Sequence, residues 1–438
     1  MFCTKTVLSC AAVVFALSAQ QAAAVPYTLE QTVNNPGPGS NSGDLFGFST
    51  SLSNDGSRAL VGAAGDGGNN GTAYVIDTST GGLLQTLNNP TNGSDLFGYI
   101  NGVSLSGDGS TALVGAFRDS TTGNGSGTAY VFDATTGNLL QTLNNPTPGS
   151  GDGFGISVSL SDDGSTALVG AYTDDATGIN SGTAYIFDVS TGNLLQTLNN
   201  PTPGGGDLFG FSVSLSGDGS TALVGALNSD ATYAFDVSTG NLLQTLNNPT
   251  PGSGDRFGYS VSLSGDGSTA LVGAYGDTSL TGVAYTFDVG SGNLLQTLGN
   301  PGPNDSDYFG VSVALSDDGG TALIGALGDT TQTIGGSPLR AGSAYLFDAA
   351  NGAFLQALNN PTPAQFDNFG YGSSLSADGR TALVGAYLDD TGANNAGSAY
   401  VYRDQAVDLP APGSLLLLGS TLAVMAGLRL RRRRQGEG

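Results

Sequence analysis

The chain has 438 residues and a formal net charge of −24, with no histidine or tryptophan; its two cysteines, Cys3 and Cys10, both lie near the N-terminus. Beyond that segment it offers no thiolate nucleophile, no disulfide, no histidine-based triad and no His- or Cys-ligated zinc. Between Val25 and Asp408 there are 35 acidic residues and 6 arginines, and a body that acidic repels nucleic-acid phosphates and anionic lipid, so no nucleic-acid partner is expected.

Two readings of the acidity stay open. Surface aspartates keep a glycine-rich β-protein soluble and protect its edges, or they serve cations, calcium above all. Glycine (71) and proline (17) make up about a fifth of the chain, below the level at which aperiodic chains lean towards disorder. The glycines also recur at fixed positions, as turn residues do.

Residues 1–24 carry Lys5, an apolar run over 7–17 and Ala22-Ala23-Ala24. This is the charge, hydrophobic core and small-residue site of a signal peptide, with cleavage expected after Ala24. The next stretch, YTLEQTVNNPGP, has the sequence of a unit's end, LLQTLNNPTP, rather than of its beginning.

Seven units follow, starting at Phe46, Phe97, Phe154, Phe209, Phe257, Phe309 and Phe369. The fifth, over residues 257–301, reads FGYSVSLSGDGSTALVGAYGDTSLTGVAYTFDVGSGNLLQTLGNP. A recurrence of this length calls for one small supersecondary unit per repeat, with length differences absorbed in loops. Each unit holds four strand-like runs, here YSVSLS, TALVGA, VAYTFD and NLLQTL, separated by turn clusters. The first alternates serine with apolar residues, as a half-polar strand does. The second and third are nearly all apolar, as in strands covered on both faces. Gly-Asp-Gly joins the first pair in a tight turn, since both residue types tolerate positive φ. No stretch of the body has a helical period.

Four antiparallel strands repeated seven times predict an all-β fold, a seven-bladed β-propeller over residues 25–408, because a lone sheet with two apolar faces needs neighbours to cover them. The seventh unit lacks its fourth strand, and 27–33 has the sequence of that strand. The N-terminal segment is therefore expected to close the ring on the edge of blade seven. The LLQTL strand would then be outermost, and the serine-alternating strand innermost with its side chains towards the central channel.

From residue 409 the composition changes to LPAPGSLLLLGSTLAVMAGLRLRRRRQGEG. Residues 415–428 are uncharged and fewer than the ~20 usually needed to span a bilayer. Flanking Pro412 and snorkelling by Arg429 would let a hydrophobic helix there cross a thin membrane, with Arg431, Arg432, Arg433 and Arg434 on the cytoplasmic side.

The Phe257-Gly258 and Gly273-Ala274 dipeptides, repeated in register in seven units, resemble the FG-GAP repeats of integrin-like propellers, and most closely the bacterial variety. The resemblance covers residues 25–404. It implies a seven-bladed propeller, often extracellular, used for recognition or as a scaffold. The family's calcium loop reads roughly DxNxDGxxD, whereas the fifth unit has Ser262, Ser264 and Asp266 there and Ala270 in place of the last Asp. One carboxylate per loop is poor provision for an ion wanting 6–8 oxygens. Asp55, Asp108, Asp163, Asp218, Asp266, Asp318 and Asp378 are therefore read first as turn formers and second as calcium ligands. No other cofactor is expected.

The C-terminus resembles a PEP-CTERM sorting tail over 409–434: a proline motif (Pro410 and Pro412), a hydrophobic stretch and an arginine cluster. Pro410-Ala411-Pro412 stands where the family has Pro-Glu-Pro. The resemblance implies an exosortase-like sorting protease as partner, transient membrane contact through 415–428, and release to the cell surface or a polysaccharide matrix.

Together these readings predict an exported, non-catalytic recognition or structural module whose partners are polysaccharide or surface proteins. The alternatives are a calcium-dependent adhesion module and a polysaccharide-active enzyme. The enzyme would need a unit that breaks the pattern with clustered acids, and only Asp305, Asp307 and Tyr308 come close. Two further aspartate rings stand out, one before Phe-Gly (Asp44, Asp152, Asp207, Asp255) and one after Gly-Ala (Asp66, Asp119, Asp174, Asp277, Asp329, Asp389). Loops near the second ring vary most in length, which makes residues 330–341, with Arg340, the expected contact loop.

Overall fold

A computed structural model describes residues 26–37, 43–91, 93–302, 304, 306–334, 337–391 and 395–405. The signal-like segment, the Pro-Ala-Pro motif, the 415–428 stretch and the arginine cluster all lie outside the described residues. Among the described residues no helix is long and apolar enough to cross a membrane.

Seven four-stranded antiparallel sheets form the blades of the propeller. In blade five the order is Phe257–Leu263, Thr269–Ala274, Val283–Asp288 and Leu294–Gly299, from the axis outward. The ring closes as the sequence predicts. Tyr27–Asn34 pairs antiparallel with Ser398–Asp404 and becomes the outermost strand of the blade that begins at Phe369.

Two pieces depart from the all-strand expectation. Asp66–Asn69 and Asp277–Leu280 are single helical turns interrupted by left-handed residues such as Gly67, Gly68, Thr278 and Ser279. A small hairpin, Gln332–Ile334 against Ser337–Leu339, forms inside the expected contact loop. Such pieces are short because they bridge strands and carry no apolar period to extend them.

The core lies between blades rather than within them. One cluster joins Leu168, Ile186 and Leu198 of blade three to Phe209, Val224 and Tyr233 of blade four. Another joins Val33, Leu383 and Val401 of blade seven to Phe46, Val61 and Tyr74 of blade one. Each Phe-Gly phenylalanine is fully buried; Phe257 meets Tyr285 and Phe287 at centroid distances of 6.0 Å. The motif's glycines meet across the same seams. A Cβ added to Gly273 would stand 2.1 Å from the carbonyl oxygen of Gly310, and Gly115, Gly170, Gly325 and Gly385 are in the same position. Phe-Gly and Gly-Ala are thus two halves of one contact between successive blades.

The inner-strand serines face the channel as expected and also join the blades. Several line the axial cavity, among them Ser49, Ser212, Ser260 and Ser312. Their hydroxyls nevertheless accept backbone N–H groups from the next blade: Val213 donates to Ser157 at 2.9 Å, Val261 to Ser212 at 3.1 Å and Val313 to Ser260 at 3.0 Å. Leu215, Leu263 and Leu315 donate likewise to Ser159, Ser214 and Ser262, and Leu52 of blade one donates to Ser374 of blade seven, whereas blade six has Ala314 at the accepting position and meets blade seven through the Ser312 and Ser373 hydroxyls. The inner strands are too splayed to form ladders between blades, so the hydroxyls satisfy amides that would otherwise be orphaned. Blade two has Gly102 in place of one serine, and there the Asn101 carbonyl accepts the Val158 N–H instead.

Candidate functional site

The propeller has two mouths, and different chemistry stands at each. At the first lie the turns between inner and second strands. In every unit the turn aspartate accepts the hydroxyl of the serine two residues earlier and the N–H two residues later: Asp108 takes Ser106 Oγ at 2.7 Å and Ser110 N at 2.9 Å. Asp55, Asp163, Asp218, Asp266, Asp318 and Asp378 repeat the arrangement. Hydrogen bonds from the neighbouring serines hold Asp108, Asp163 and Asp266 below the usual carboxylate range. All seven calcium candidates thus make the hydrogen bonds of turn formers. Among the described residues no three His, Cys, Asp or Glu side chains converge on a metal position.

A feature invisible in the sequence ties these turns together. Asn54 N donates to Gly107 O, Gly107 N to Asp162 O, Asp162 N to Gly217 O, Asp218 N to Gly265 O, Gly265 N to Asp317 O, Asp317 N to Ala377 O, and Ala377 N back to Asn54 O, at 2.8–3.3 Å. This closed collar of backbone hydrogen bonds surrounds an acidic depression of about 810 Å³ lined by Asp162, Asp218, Asp266, Asp317 and Asp318. Burial, then the charges of Asp162 and Asp318, push the Asp317 carboxyl up to about 6.

At the opposite mouth stand the loops before Phe-Gly and after Gly-Ala. Both predicted aspartate rings are here, and most of their members are buried. They hold the loops rather than line a site. In blade three, Asn145 Nδ2 donates to Asp152 at 2.8 Å, Tyr185 OH donates to Asp174 at 2.7 Å, and Thr147 bonds both Asp174 and the Tyr185 hydroxyl. Blades two, five and seven repeat this, with Tyr130 on Asp119, Tyr285 on Asp277 and Tyr400 on Asp389. Burial raises Asp152, Asp307 and Asp367, the last to about 6. The residues weighed for catalysis do not assemble. Asp305 lies outside the described residues; Asp307 is fully buried, accepting Asn300 Nδ2 and the Asn304 N–H; and Tyr308 leans on Tyr275 at 5.9 Å. Arg340 lies in the same set of loops, where its carbonyl accepts the Phe366 N–H.

What the sequence reading missed at this mouth is an arc of aromatic rings. The residue after Phe-Gly is aromatic in five units, and these rings touch in series around the axis: Phe211 to Tyr259 (5.0 Å), Tyr259 OH to Tyr371 OH (3.0 Å), Tyr371 to Phe48 (4.4 Å) and Phe48 to Tyr99 (4.5 Å). The residue after Gly-Ala adds an outer tier, with Phe117 on Tyr99, Tyr172 on Phe211, Tyr275 on Tyr259 and Tyr387 on Tyr371. All six tyrosines of the two tiers, Tyr99, Tyr172 and Tyr387 among them, keep part of their surface exposed. The inner tier lacks an aromatic ring where Ile156 and Val311 stand in blades three and six. A pocket of about 370 Å³ opens at the seam of blades two and three, between Phe117, Arg118 and Tyr172.

The profile of FG-GAP repeats matches residues 38–76, 90–132, 146–187, 249–287, 296–347 and 362–402. The chain belongs to the FG-GAP repeat family. The matched segments leave out the fourth unit, yet its blade forms with the same four strands. Its connection after Gly-Ala is shorter than in the other units, and Tyr233 OH bonds Thr202 at 2.6 Å, with no aspartate partner among the described residues.

Among solved structures, this FG-GAP protein is similar to the β-propeller domain of Myceliophteria thermophila Cps50 (Swd1), at 12% identity and a TM-score of 0.57 over 86% of this chain and 99% of that one. It is also similar to Kuenenia stuttgartiensis hydrazine synthase, at 14% identity and a TM-score of 0.57 over 85% and 99%. Likeness at such identity concerns the fold alone. No curated protein matches the sequence.

Proposed function

We propose that this FG-GAP protein is an exported, non-catalytic module that recognises or organises material at the cell surface or in an extracellular matrix. The observation that carries the reading is the aromatic mouth: a rigid ring of blades presents partly exposed tyrosines on one face. The carboxylates nearest to it are buried and occupied in holding loops. Such a surface suits binding, because aromatic rings provide contact area at little conformational cost.

Export rests on the sequence of residues 1–24. Sorting through an exosortase-like protease rests on Pro410, Pro412 and Arg431–Arg434. The test is fractionation of cells producing the full chain and a form ending at residue 408. The full chain is expected in the surface or matrix fraction, with the truncated form displaced from it. Recovery of the full chain in the cytoplasm would sink the proposal.

A further inference from the structure

The seam between blades two and three is where the repeated pattern breaks at the aromatic mouth. The residue just before Phe-Gly carries a side chain in six units, Leu45, Leu96, Leu208, Arg256, Tyr308 and Asn368, all at positive φ, but is Gly153 in unit three. A Cβ on Gly153 would stand 2.4 Å from Cε1 of Tyr172. The missing side chain is thus what lets the Tyr172 ring lie over the backbone and form one wall of the pocket.

The other wall is Phe117, with the Arg118 guanidinium 5.4 Å from its ring centroid. Arg118 is exposed, and its side chain has no hydrogen bond or ion pair among the described residues. Arg256, in the loop before Phe257, is by contrast committed, donating to Asn228 Oδ1 at 2.6 Å. Ser94, Ser120, Ser150 and Asn124 complete the lining with hydroxyls and an amide.

We infer that this pocket binds a segment of neutral polysaccharide. The partly exposed Tyr172 ring offers flat apolar surface to the C–H face of a sugar, while Phe117, buried between Tyr99 and Arg118, backs the guanidinium. The guanidinium, with five fixed donors, and the hydroxyls and amide around it match a ligand dense in oxygen acceptors and O–H donors. The volume lies in the range of small-ligand sites. A polyanion is the less suitable occupant, because the body as a whole repels it; a purely apolar ligand would strand the polar lining. This inference rests on the recognition reading above and gives it a ligand class.

The test is affinity electrophoresis of the full chain in native gels containing hydroxyethyl cellulose, galactomannan or polygalacturonate. Retardation is expected in at least one of the two neutral gels. Arg118→Ala and Tyr172→Ala are each expected to weaken it by about tenfold. Gly153→Leu, which gives unit three the residue of units one, two and four, is expected to abolish it by filling the pocket. Near-ultraviolet circular dichroism of each variant checks that the fold is retained. Absence of retardation in both neutral gels, retardation in polygalacturonate alone, or retardation unchanged in all three variants would overturn the inference. Any of these results with a protein that still fractionates to the cell surface removes the pocket and leaves the surface-module reading intact; cytoplasmic recovery removes that reading by itself.

Discussion

Replacing Gly273 by alanine adds one methyl group at the seam of blades five and six, and the structure fixes what it meets. The new Cβ would lie 2.1 Å from the Gly310 carbonyl oxygen and 3.3 Å from Val313 Cγ1. Ordinary contact begins near 3.4 Å, so the seam must open by roughly 1.3 Å. The obstructing atom is backbone and cannot rotate aside. Gly310 is itself held at φ +89, leaving little freedom to retreat. Overpacking of this kind costs about 1–3 kcal/mol, a large share of the ~5–15 kcal/mol typical of a folded domain. Gly299→Ala is the matched control, because nothing lies within 4 Å of its added Cβ and its φ is ordinary. There the change should stay within about 0.5 kcal/mol, or stabilise slightly by restricting the unfolded chain. The assay is guanidinium unfolding followed by tyrosine fluorescence and circular dichroism, with midpoint shifts converted through the slope. Equal midpoints for the two variants would show that the Gly–Gly contact does not set the blade spacing, and the explanation of the Phe-Gly and Gly-Ala pairing would fail with it.

Two other outcomes follow from the carboxylates. Burial first, then Asp389 and Asp390, raise Asp367 to about 6, so the folded state holds a proton between pH ~4 and ~6 that the unfolded chain has released. The contribution of Asp367 is fully present below its unfolded pKa and is lost as pH rises through about 6, a change of roughly 3 kcal/mol. Asp108, Asp163 and Asp266, lowered by their serine hydrogen bonds, act with the opposite sign, so the whole-protein curve is a sum. The difference between wild type and Asp367→Asn isolates the single group. It should shift in the variant's favour as pH rises from ~4 to ~6, and a pH-independent difference would refute the assignment. For calcium, the turn aspartates already accept their own serine and backbone donors, so millimolar calcium should leave the melting temperature unchanged within scan error. A clear rise, abolished by Asp266→Asn together with Asp318→Asn, would restore the calcium-dependent alternative.

The fold was legible because each of its determinants repeats within a short span. Alternation in FGYSVSLS, apolar runs in TALVGA and VAYTFD, and Gly-Asp-Gly turns are local signals, and the orphan strand at 27–33 declared its partner by sharing the LLQTL pattern. The backbone collar was not legible, since an amide donating from Gly107 to Asp162 in the next blade has no residue requirement. The serine stitching was not legible for a related reason. Alternation says which face Ser157 and Ser212 occupy, but not that the amide of the neighbouring blade's strand lies 2.9–3.1 Å away. The aspartate rings stood out by position alone, while the burial of Asp152 and Asp174 was not legible because it depends on Asn145, Thr147 and Tyr185, which sit at other points of the chain. The aromatic mouth did leave a trace, an aromatic residue directly after Phe-Gly in five units. Its meaning depends on seven strands converging on one axis, which no single unit reveals.

That contrast bears on where a specific site can exist in a protein of near-identical blades. Elements that repeat faithfully, such as the Ser-x-Asp-Gly turn, the glycine seam and the Asn–Asp–Tyr network, present the same groups at every angle and spend their polar atoms on one another. They build a closed scaffold and leave little unsatisfied chemistry. Free donors and open volume then have to come from departures. In unit three a glycine stands before Phe-Gly where every other unit carries a side chain, in unit two an arginine follows the aromatic after Gly-Ala, and the two departures face each other across one seam. Either alone would be unremarkable drift: Gly153 without Phe117 would leave a shallow dent, and Arg118 beside a leucine-filled seam would have no cavity to serve. Their coincidence distinguishes this seam from the other six and makes Gly153→Leu the sharper variant, since it restores the repeat without introducing a residue the scaffold does not already carry.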